Sequence, residues 1–239
     1  MHTGDDYFDS EEFHELLKDY EESISSGQPV LLDAEELTDV ADYYQFVGEF
    51  EKAEEAIDHA LALNPGATAP LVYRIREELT LENIENAKEL LEQIQDKTDP
   101  DYYYMQAEVL IAQNKIEEAD RLLRDYFRQV PSYEYNDFVF DVANIWLDYG
   151  VNDKAYEWMI RSAGDNSNDF KELMGHIMFG LGKFKDSQRI FNELLDHDPY
   201  STRYWNALAS AQFMNEDYGD SITSSEYAIA IDPNDTEGI

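Results

Sequence analysis

Apolar residues recur along the chain at helical spacing, and short polar turns interrupt them at regular intervals. The clearest apolar stripes are Ala53, Ile57, Ala60, Leu61 and Leu63; then Ala119, Leu122, Leu123 and Phe127; then Ile222, Ala228, Ile229 and Ile231. Apolar positions three and four residues apart lie on one face of an α-helix. Each stripe therefore predicts a short amphipathic helix.

A short phrase recurs between the stripes, with a Gly or polar turn, an aromatic or aliphatic residue, two polar residues and a small residue. The small residues are Ala53, Ala87, Ala119, Ala155, Ser187 and Ser221, and their spacings are 34, 32, 36, 32 and 34. A Pro, which ends helices, follows four of them at Pro65, Pro131, Pro199 and Pro233. A period near 34 predicts stacked repeats of two helices joined by a tight turn.

The markers predict where the helix pairs lie. We expect pairs at residues 34–63, 68–95, 100–129, 133–163, 168–196 and 202–231. A further amphipathic helix near 9–25 is expected to cover the open apolar end of the first pair, because a terminal repeat needs a cap. The predicted domains are an acidic capping segment, 1–33, and a repeat region, 34–235, with repeats at about 34–67, 68–99, 100–135, 136–167, 168–201 and 202–235. Residues 235–239 resemble the beginning of another helix.

These features resemble the tetratricopeptide repeat family. The last repeat carries the resemblance most fully, with Trp205, Leu208, Ala209, Asp217, Tyr218, Ser221, Ile222, Ala228 and Asp232-Pro233-Asn234. The first repeat follows it with Leu37, Tyr44, Gly48, Phe50, Ala53, Ile57, Ala60 and Pro65. The resemblance implies an all-α fold, a right-handed α-solenoid of about six antiparallel helix pairs with an N-terminal capping helix. Gln212 and Pro70 depart from the family pattern, and the second repeat is irregular.

The resemblance also implies a binding surface, since in this family the first helices line a concave groove that holds peptides or helices of other proteins. That register places in the groove Thr38, Asp42, Gln45, Ile111 and Ser210, and the partner-binding residues Tyr104, Glu108, Phe140, Asn144, Glu172, His176, Phe179, Asn206 and Phe213. Some chaperone-binding members clamp a terminal carboxylate with Lys and Asn side chains, but the clamp lysines are absent here. We therefore expect a basic, partly apolar segment, not an acidic tail. Packing between first helices is the alternative role for the four aromatic residues of the set.

The charge of the chain narrows the classes of molecule that it is expected to bind. The chain has 53 acidic and 17 basic residues, a formal net charge of -36, and residues 1–60 contain 19 acids against Lys18 and Lys52. A field of this sign repels phosphates and anionic lipid, so we expect neither nucleic acid nor membrane as a partner. A purely solubilising surface is the simpler reading, and mimicry of nucleic acid stays open.

The sequence contains no complete motif for a metal, a nucleotide or a catalytic site. There is no Cys, and the five His lack metal-ligand spacing; the nearest approach, Glu11-x-x-His14, has no second pair. Gly180-Leu181-Gly182 lacks the rest of a nucleotide loop, and Asp165 to Asp169 lacks the remainder of a calcium loop. We therefore expect no enzyme, no cofactor and no metal. No leader or membrane span is evident, which favours the cytoplasm.

Three alternatives to a groove-binding scaffold follow from the same residues. The first is a structural or self-assembling repeat protein that forms a homodimer through its C-terminal end, where no capping helix follows the last pair. The second is that the chain is the N-terminal part of a longer repeat array. An enzyme is the last alternative, and no nucleophile, base or cofactor loop supports it.

Overall fold

The computed structural model describes residues 7–162 and 164–233, and these residues form α-helices and no β-strand. Thirteen helices lie in the described part, and we number them in chain order. They are α1 (Glu11–Ser26), α2 (Ala34–Phe46), α3 (Phe50–Leu63), α4 (Thr68–Thr80), α5 (Ile84–Gln93), α6 (Pro100–Ala112), α7 (Ile116–Phe127), α8 (Tyr135–Asp148), α9 (Asn152–Met159), α10 (Asn168–Gly180), α11 (Phe184–Leu195), α12 (Thr202–Met214) and α13 (Tyr218–Ile231).

Two compact units divide the chain, an N-terminal unit up to Leu122 and a C-terminal unit from Leu123. In the N-terminal unit α2 packs on α3 and α4 on α5; in the C-terminal unit α8 packs on α9, α10 on α11 and α12 on α13. The predicted fold class, an all-α helical-repeat solenoid, is confirmed. The right-handed twist, the number of pairs and the domain boundaries stay predictions.

The turn inside each helix pair uses one residue with left-handed backbone. Gly48, Gly150 and Gly182 occupy this position with φ of 80°, 69° and 70°. The other turns place Glu82, Asn114 and Glu216 there, with φ of 59°, 60° and 67°. Gly adopts such values without the Cβ penalty that other residues experience. These six residues therefore recur at the same spacing as the small residues.

The small residues allow the two helices of a pair to approach closely. Ala53, Ala87, Ala119 and Ala155 are completely buried. In the fifth pair the first helix adds Gly175, where a Cβ atom would lie 2.8 Å from Cζ of Phe191. The repeating small positions are thus a packing requirement of the hairpin.

Ser187 and Ser221 occupy the same small position in consecutive repeats, but their hydroxyl groups differ. Ser221 Oγ donates to the carbonyl of Ala209 at 2.9 Å, whereas Ser187 Oγ is fully buried and has no partner among the described residues. We expect Ser187→Ala to raise the free energy of unfolding by about 1 kcal/mol, because the substitution removes an unsatisfied buried group. Ser221→Ala should lower it by about 1 kcal/mol. Urea denaturation followed by circular dichroism measures both, and changes of equal sign would contradict the hydrogen-bond assignment.

The helix expected near residues 9–25 is α1, and it packs on the first pair. Phe13 and Tyr20 are its buried residues. The Tyr20 ring lies 6.4 Å from that of Tyr44, and Tyr20 Oη is 3.3 Å from Nδ1 of His59. The position of α1 against α2 and α3 agrees with the capping role expected for it.

Three residues of the predicted apolar stripes are exposed, and Ile229 of α13 is the least exposed of them, at 37%. Leu63 and Ile222 are each more than half exposed. Leu63 is the last residue of α3, and the last buried residue of this helix is Ala60. In α13 the buried face contains Ser221 and Ser224, which turns the adjacent Ile222 about 100° away. The helix expected to begin at residue 235 lies outside the described residues.

No helix in the described part of the chain is both long enough and apolar enough to span a bilayer.

Candidate partner-binding site

The first helices of the N-terminal unit enclose a cleft. Helix α4 contacts α2 on one side and α6 on the other. The space between them is about 540 Å³. Its lining consists of Thr38, Asp42 and Gln45 from α2, Ala69, Val72, Tyr73, Arg76, Glu77 and Thr80 from α4, Leu81 at the turn, and Asp101 from α6.

The local sequence fixes α2 at the cleft. Asp33 caps this helix, since its Oδ1 accepts from the backbone N–H groups of Glu35 and Glu36 at 2.9 Å each. The Asp33 N–H in turn donates to Glu36 Oε2 at 2.8 Å, which completes a capping box. On the inner side of α2, Leu37, Val40, Ala41 and Tyr44 are buried, which leaves Asp42 and Gln45 towards the cleft.

Three charged residues occupy the same register position of the three first helices, Asp42 in α2, Arg76 in α4 and Glu108 in α6. Arg76 Nη2 lies 3.8 Å from Glu108 Oε1, so Arg76 forms its ion pair with a residue of α6. No described residue forms a hydrogen bond or an ion pair with the Asp42 carboxylate. The α2 side of the cleft therefore contains an acid that Arg76 only partly compensates.

The environment of Asp42 disfavours its ionised form. Asp42 is exposed at the cleft, and neighbouring residues surround part of its carboxyl group. This burial raises the pKa of Asp42 to about 6; the nearby Asp39 also raises it, and Arg76 opposes the shift. The pKa of Asp39 is raised as well, mainly by burial, although Tyr7 donates a hydrogen bond to Asp39 Oδ2 at 2.9 Å.

A second arginine neutralises acids beside the cleft. Arg74 pairs with Glu54, with Oδ1 of Asp58 at 2.8 Å and with Oε2 of Glu77 at 2.9 Å. Glu77 also lines the cleft, so one of its lining carboxylates is held by Arg74. Burial, together with a hydrogen bond to Glu54, raises the pKa of Glu77, and Arg74 opposes that shift.

The structure places the predicted groove residues of the N-terminal unit at different depths. Thr38, Asp42 and Gln45 line the cleft. Thr38 is itself buried; Tyr104 and Glu108 are buried in α6, with 7% and 8% of their surface exposed, and are not part of the lining. For Tyr104 this burial agrees with the packing alternative more than with direct contact to a partner.

In the C-terminal unit, two predicted residues of α8 make local contacts. The ring centroids of Phe140 and Phe170 are 5.2 Å apart, so Phe140 packs between first helices. Asn144 Nδ2 donates to the carbonyl of Phe140 at 3.0 Å, which occupies one donor of its amide within the helix.

Helices α10 and α12 contain the other five predicted residues. Glu172 Oε1 lies 3.0 Å from Nε of Arg203 and 4.0 Å from Nε2 of His176. Asn206 is buried, whereas Phe179 packs on Phe184 and Phe213 packs on Tyr218 at the hairpin turns, and Phe213 stays more than half exposed. The structure thus brings Glu172 and His176 together and distributes the rest over several local environments.

Most of the lining residues that sequence analysis missed belong to α4, and Leu81 at the turn and Asp101 on α6 were also missed. Tyr73, Arg76 and Thr80 line the cleft, but the predicted groove contained no residue of the second repeat, which Pro70 made irregular. Pro70 is the third residue of α4, where a helix tolerates proline. The repeat spacing contained the necessary information, since Arg76 follows Asp42 by 34 positions and precedes Glu108 by 32.

Among the described residues, no group of three or more His, Asp or Glu side chains is arranged to hold a metal ion.

Comparison with known proteins identifies the repeat and the fold. One family model described as a tetratricopeptide repeat matches residues 37–66, and a second with the same description matches residues 173–236. No curated protein sequence matches this chain.

Solved structures with similar folds include a tetratricopeptide repeat protein from Parabacteroides merdae. It is 15% identical with a TM-score of 0.53, covering 82% of this chain and 79% of that chain. The APC/C hetero-tetramer Cut9–Hcn1 is 13% identical with a TM-score of 0.58, covering 95% of this chain and 45% of that chain. The pilF protein of Pseudomonas aeruginosa is 14% identical with a TM-score of 0.50, covering 86% and 94%. At these identities the likeness concerns the fold alone.

Proposed function

The chain belongs to the tetratricopeptide repeat family and is a protein–protein interaction scaffold, and from that premise we propose that it holds a basic, partly apolar peptide or helix in a groove lined by first helices. The observation that carries this proposal is the cleft of about 540 Å³ between α2, α4 and α6. A cleft of this size accommodates several side chains of a bound segment.

The lining supports a segment of mixed character. Leu81, which is 67% exposed, and the partly buried ring of Tyr73 offer apolar surface. Thr38, Gln45 and Thr80 add neutral polar groups, and the acids outnumber the single basic residue of the lining, Arg76. Apolar side chains contribute most of the affinity at such surfaces, whereas the charges set orientation and the rate of association.

Occlusion of the cleft tests the proposal. Gln45 lies on α2 at the cleft and is exposed, so we expect Gln45→Trp to fill part of the space without disturbing the core. Partner proteins retained from source extract by the immobilised full chain should fall at least tenfold, as quantified by mass spectrometry.

Gln93→Trp is the matched control, because Gln93 is exposed on α5 and does not line the cleft. This variant should retain the same proteins as the unmodified chain. Equal retention by Gln45→Trp and Gln93→Trp would contradict binding in the cleft, and retention that does not weaken with added salt would contradict a basic partner.

Self-association is the second candidate function. Tyr218, Ile222 and Tyr227 of α13 are each more than half exposed, and they lie with Phe213 and Met214 in the last helix pair. Apolar exposure of this kind supports the homodimer through the C-terminal end that the sequence suggested. The homodimer stays a prediction.

A further inference from the structure

Resting on the proposed function, we propose that the cleft between α2, α4 and α6 takes one lysine or arginine side chain of the partner, and that Asp42 is the residue that selects it. One residue of the bound segment must then be basic, whereas the proposed function requires only a segment that is basic as a whole. It concerns the described residues of the N-terminal unit alone.

Charge pairing inside the cleft singles out Asp42. Arg76 is 3.8 Å from Glu108, and Glu77 is 2.9 Å from Arg74, so both of these cleft residues already have a partner of opposite charge. Asp42 forms no ion pair with a described residue, and Arg76 only partly offsets its charge. A carboxylate whose charge is only partly offset gains more from an incoming cation than one that already forms an ion pair.

The walls of the cleft fit the stem of a basic side chain as well as its charge. Val72 is almost fully buried and Tyr73 is half-buried, and both line the space next to Asp42. Lysine and arginine cover apolar and aromatic surface with their methylene groups while the charged end reaches an acid. Leu81, exposed at the end of the cleft, offers a contact to an apolar neighbour in the same segment.

Other occupants fit the cleft less well. A metal ion needs several ligands, and no group of three acidic or imidazole side chains within the described ranges is arranged for one. An acidic tail would meet the carboxylates of Asp42 and Asp101, and Arg76, the basic residue of the lining, already pairs with Glu108. The volume of the cleft, about 540 Å³, exceeds that of one side chain.

The pKa of Asp42 adds a pH dependence to this contact. The groups that interact with Asp42 are Asp39 on its own helix and Tyr73 and Arg76 on α4, and Glu77 of α4 and Asp101 of α6 line the same cleft. With a pKa of about 6 in the free protein, Asp42 takes up a proton as the pH falls through that value. A bound cation favours the ionised form, so affinity should be highest above pH 6 and fall by up to about tenfold per pH unit below it.

Selection from a phage-displayed library of random dodecapeptides tests the proposal on the full chain. We expect the selected peptides to share a lysine or arginine at one position. Replacing that residue by glutamine should weaken binding at least about tenfold in a fluorescence anisotropy titration, and Asp42→Asn should weaken binding of the parent peptide to a similar extent. In the Asp42→Asn variant the glutamine peptide should bind no more weakly than the parent peptide, because the two substitutions remove one contact.

Asp19→Asn is the matched control, since Asp19 is exposed on α1 and the change in charge is identical. It should leave the affinity of both peptides unchanged. Asn has the shape of Asp, and circular dichroism and the urea midpoint verify that Asp42→Asn is folded.

The outcomes separate this inference from the function on which it rests. Selected peptides that lack a common basic residue, or that bind Asp42→Asn and the unmodified chain equally, would overturn the role of Asp42 and leave peptide binding intact. Failure to select any peptide would overturn both the groove and the assignment of its cationic ligand.

Discussion

Trp158→Ala is expected to lower the free energy of unfolding of the C-terminal unit by about 4 kcal/mol. Trp158 is completely buried in α9 and is one of the largest buried side chains of the chain. Its ring meets Phe127 and Phe138 edge-on, with centroids 5.6 Å and 6.0 Å away, and the guanidinium of Arg161 lies 4.6 Å from it. Truncation removes the aromatic contacts, the cation–π contact and most of the buried area, and it leaves a cavity.

Urea denaturation followed by circular dichroism measures this loss. Trp158→Phe retains an aromatic ring and much of the volume, and should lose about 1–2 kcal/mol. Hydrogen exchange would show the loss in the C-terminal unit, because repeats are stabilised mainly by their neighbours. A loss below about 1 kcal/mol for Trp158→Ala would mean that the site collapses around the missing ring and that the aromatic cluster contributes little.

The second large effect concerns Arg74, the residue that gathers three acids beside the cleft. Arg74→Met keeps the apolar stem but removes the charge, and we expect a loss of about 2 kcal/mol near pH 7. The Arg74 side chain is only 20% exposed, and its removal leaves Glu54 and Glu77 in contact without a cation. Two ionised carboxylates at that separation repel each other.

The loss should shrink in acid, and the sign follows from linkage. Without Arg74, the already raised pKa of Glu77 rises further above its value in the unfolded chain. The folded variant then binds more protons than the unfolded chain, so the stability of the variant increases as the pH falls through that raised pKa. Denaturation midpoints of the variant and the unmodified chain should therefore be closer at about pH 5 than at about pH 7.

Arg189→Met provides the comparison for a surface arginine. Arg189 pairs with Glu193 at 3.0 Å and with Asp186 at 4.0 Å, but its side chain is 61% exposed. Exposed pairs of this kind contribute little, so the loss should stay below about 0.5 kcal/mol at either pH. Equal losses for Arg74→Met and Arg189→Met would contradict a special role for the Arg74 cluster.

Much of the fold could be predicted from the sequence, because the same turn and small residues recur in each helix pair. Helices α2 and α3 begin and end where residues 34–63 were predicted to, and α12 and α13 do so within residues 202–231. The turns were harder to recognise where Glu82 and Glu216 adopt left-handed backbone in place of glycine. Side-chain preference alone does not indicate that conformation for glutamate.

The candidate site was less predictable, because groove exposure depends on how neighbouring helices pack. Tyr104 and Glu108 have the expected register on α6, yet both are buried. Arg76 has the same register on α4 and lines the cleft, but it was not among the predicted groove residues. Register gives the direction of a side chain, whereas its depth is set by contacts between residues distant in the chain.

The left-handed turn residues also determine where this chain can vary in length. Each of them precedes the small residue of its pair by five positions, from Gly48 and Ala53 to Glu216 and Ser221. The first helices, from α2 to α12, contain 13, 13, 13, 14, 13 and 13 residues, whereas the second helices, from α3 to α13, contain 14, 10, 12, 8, 12 and 14. One residue inserted between turn and small position would rotate the second helix by about 100° and expose its apolar face. The length of the first helices is therefore nearly constant. Differences in repeat length fall in the second helices and in the loops that follow them.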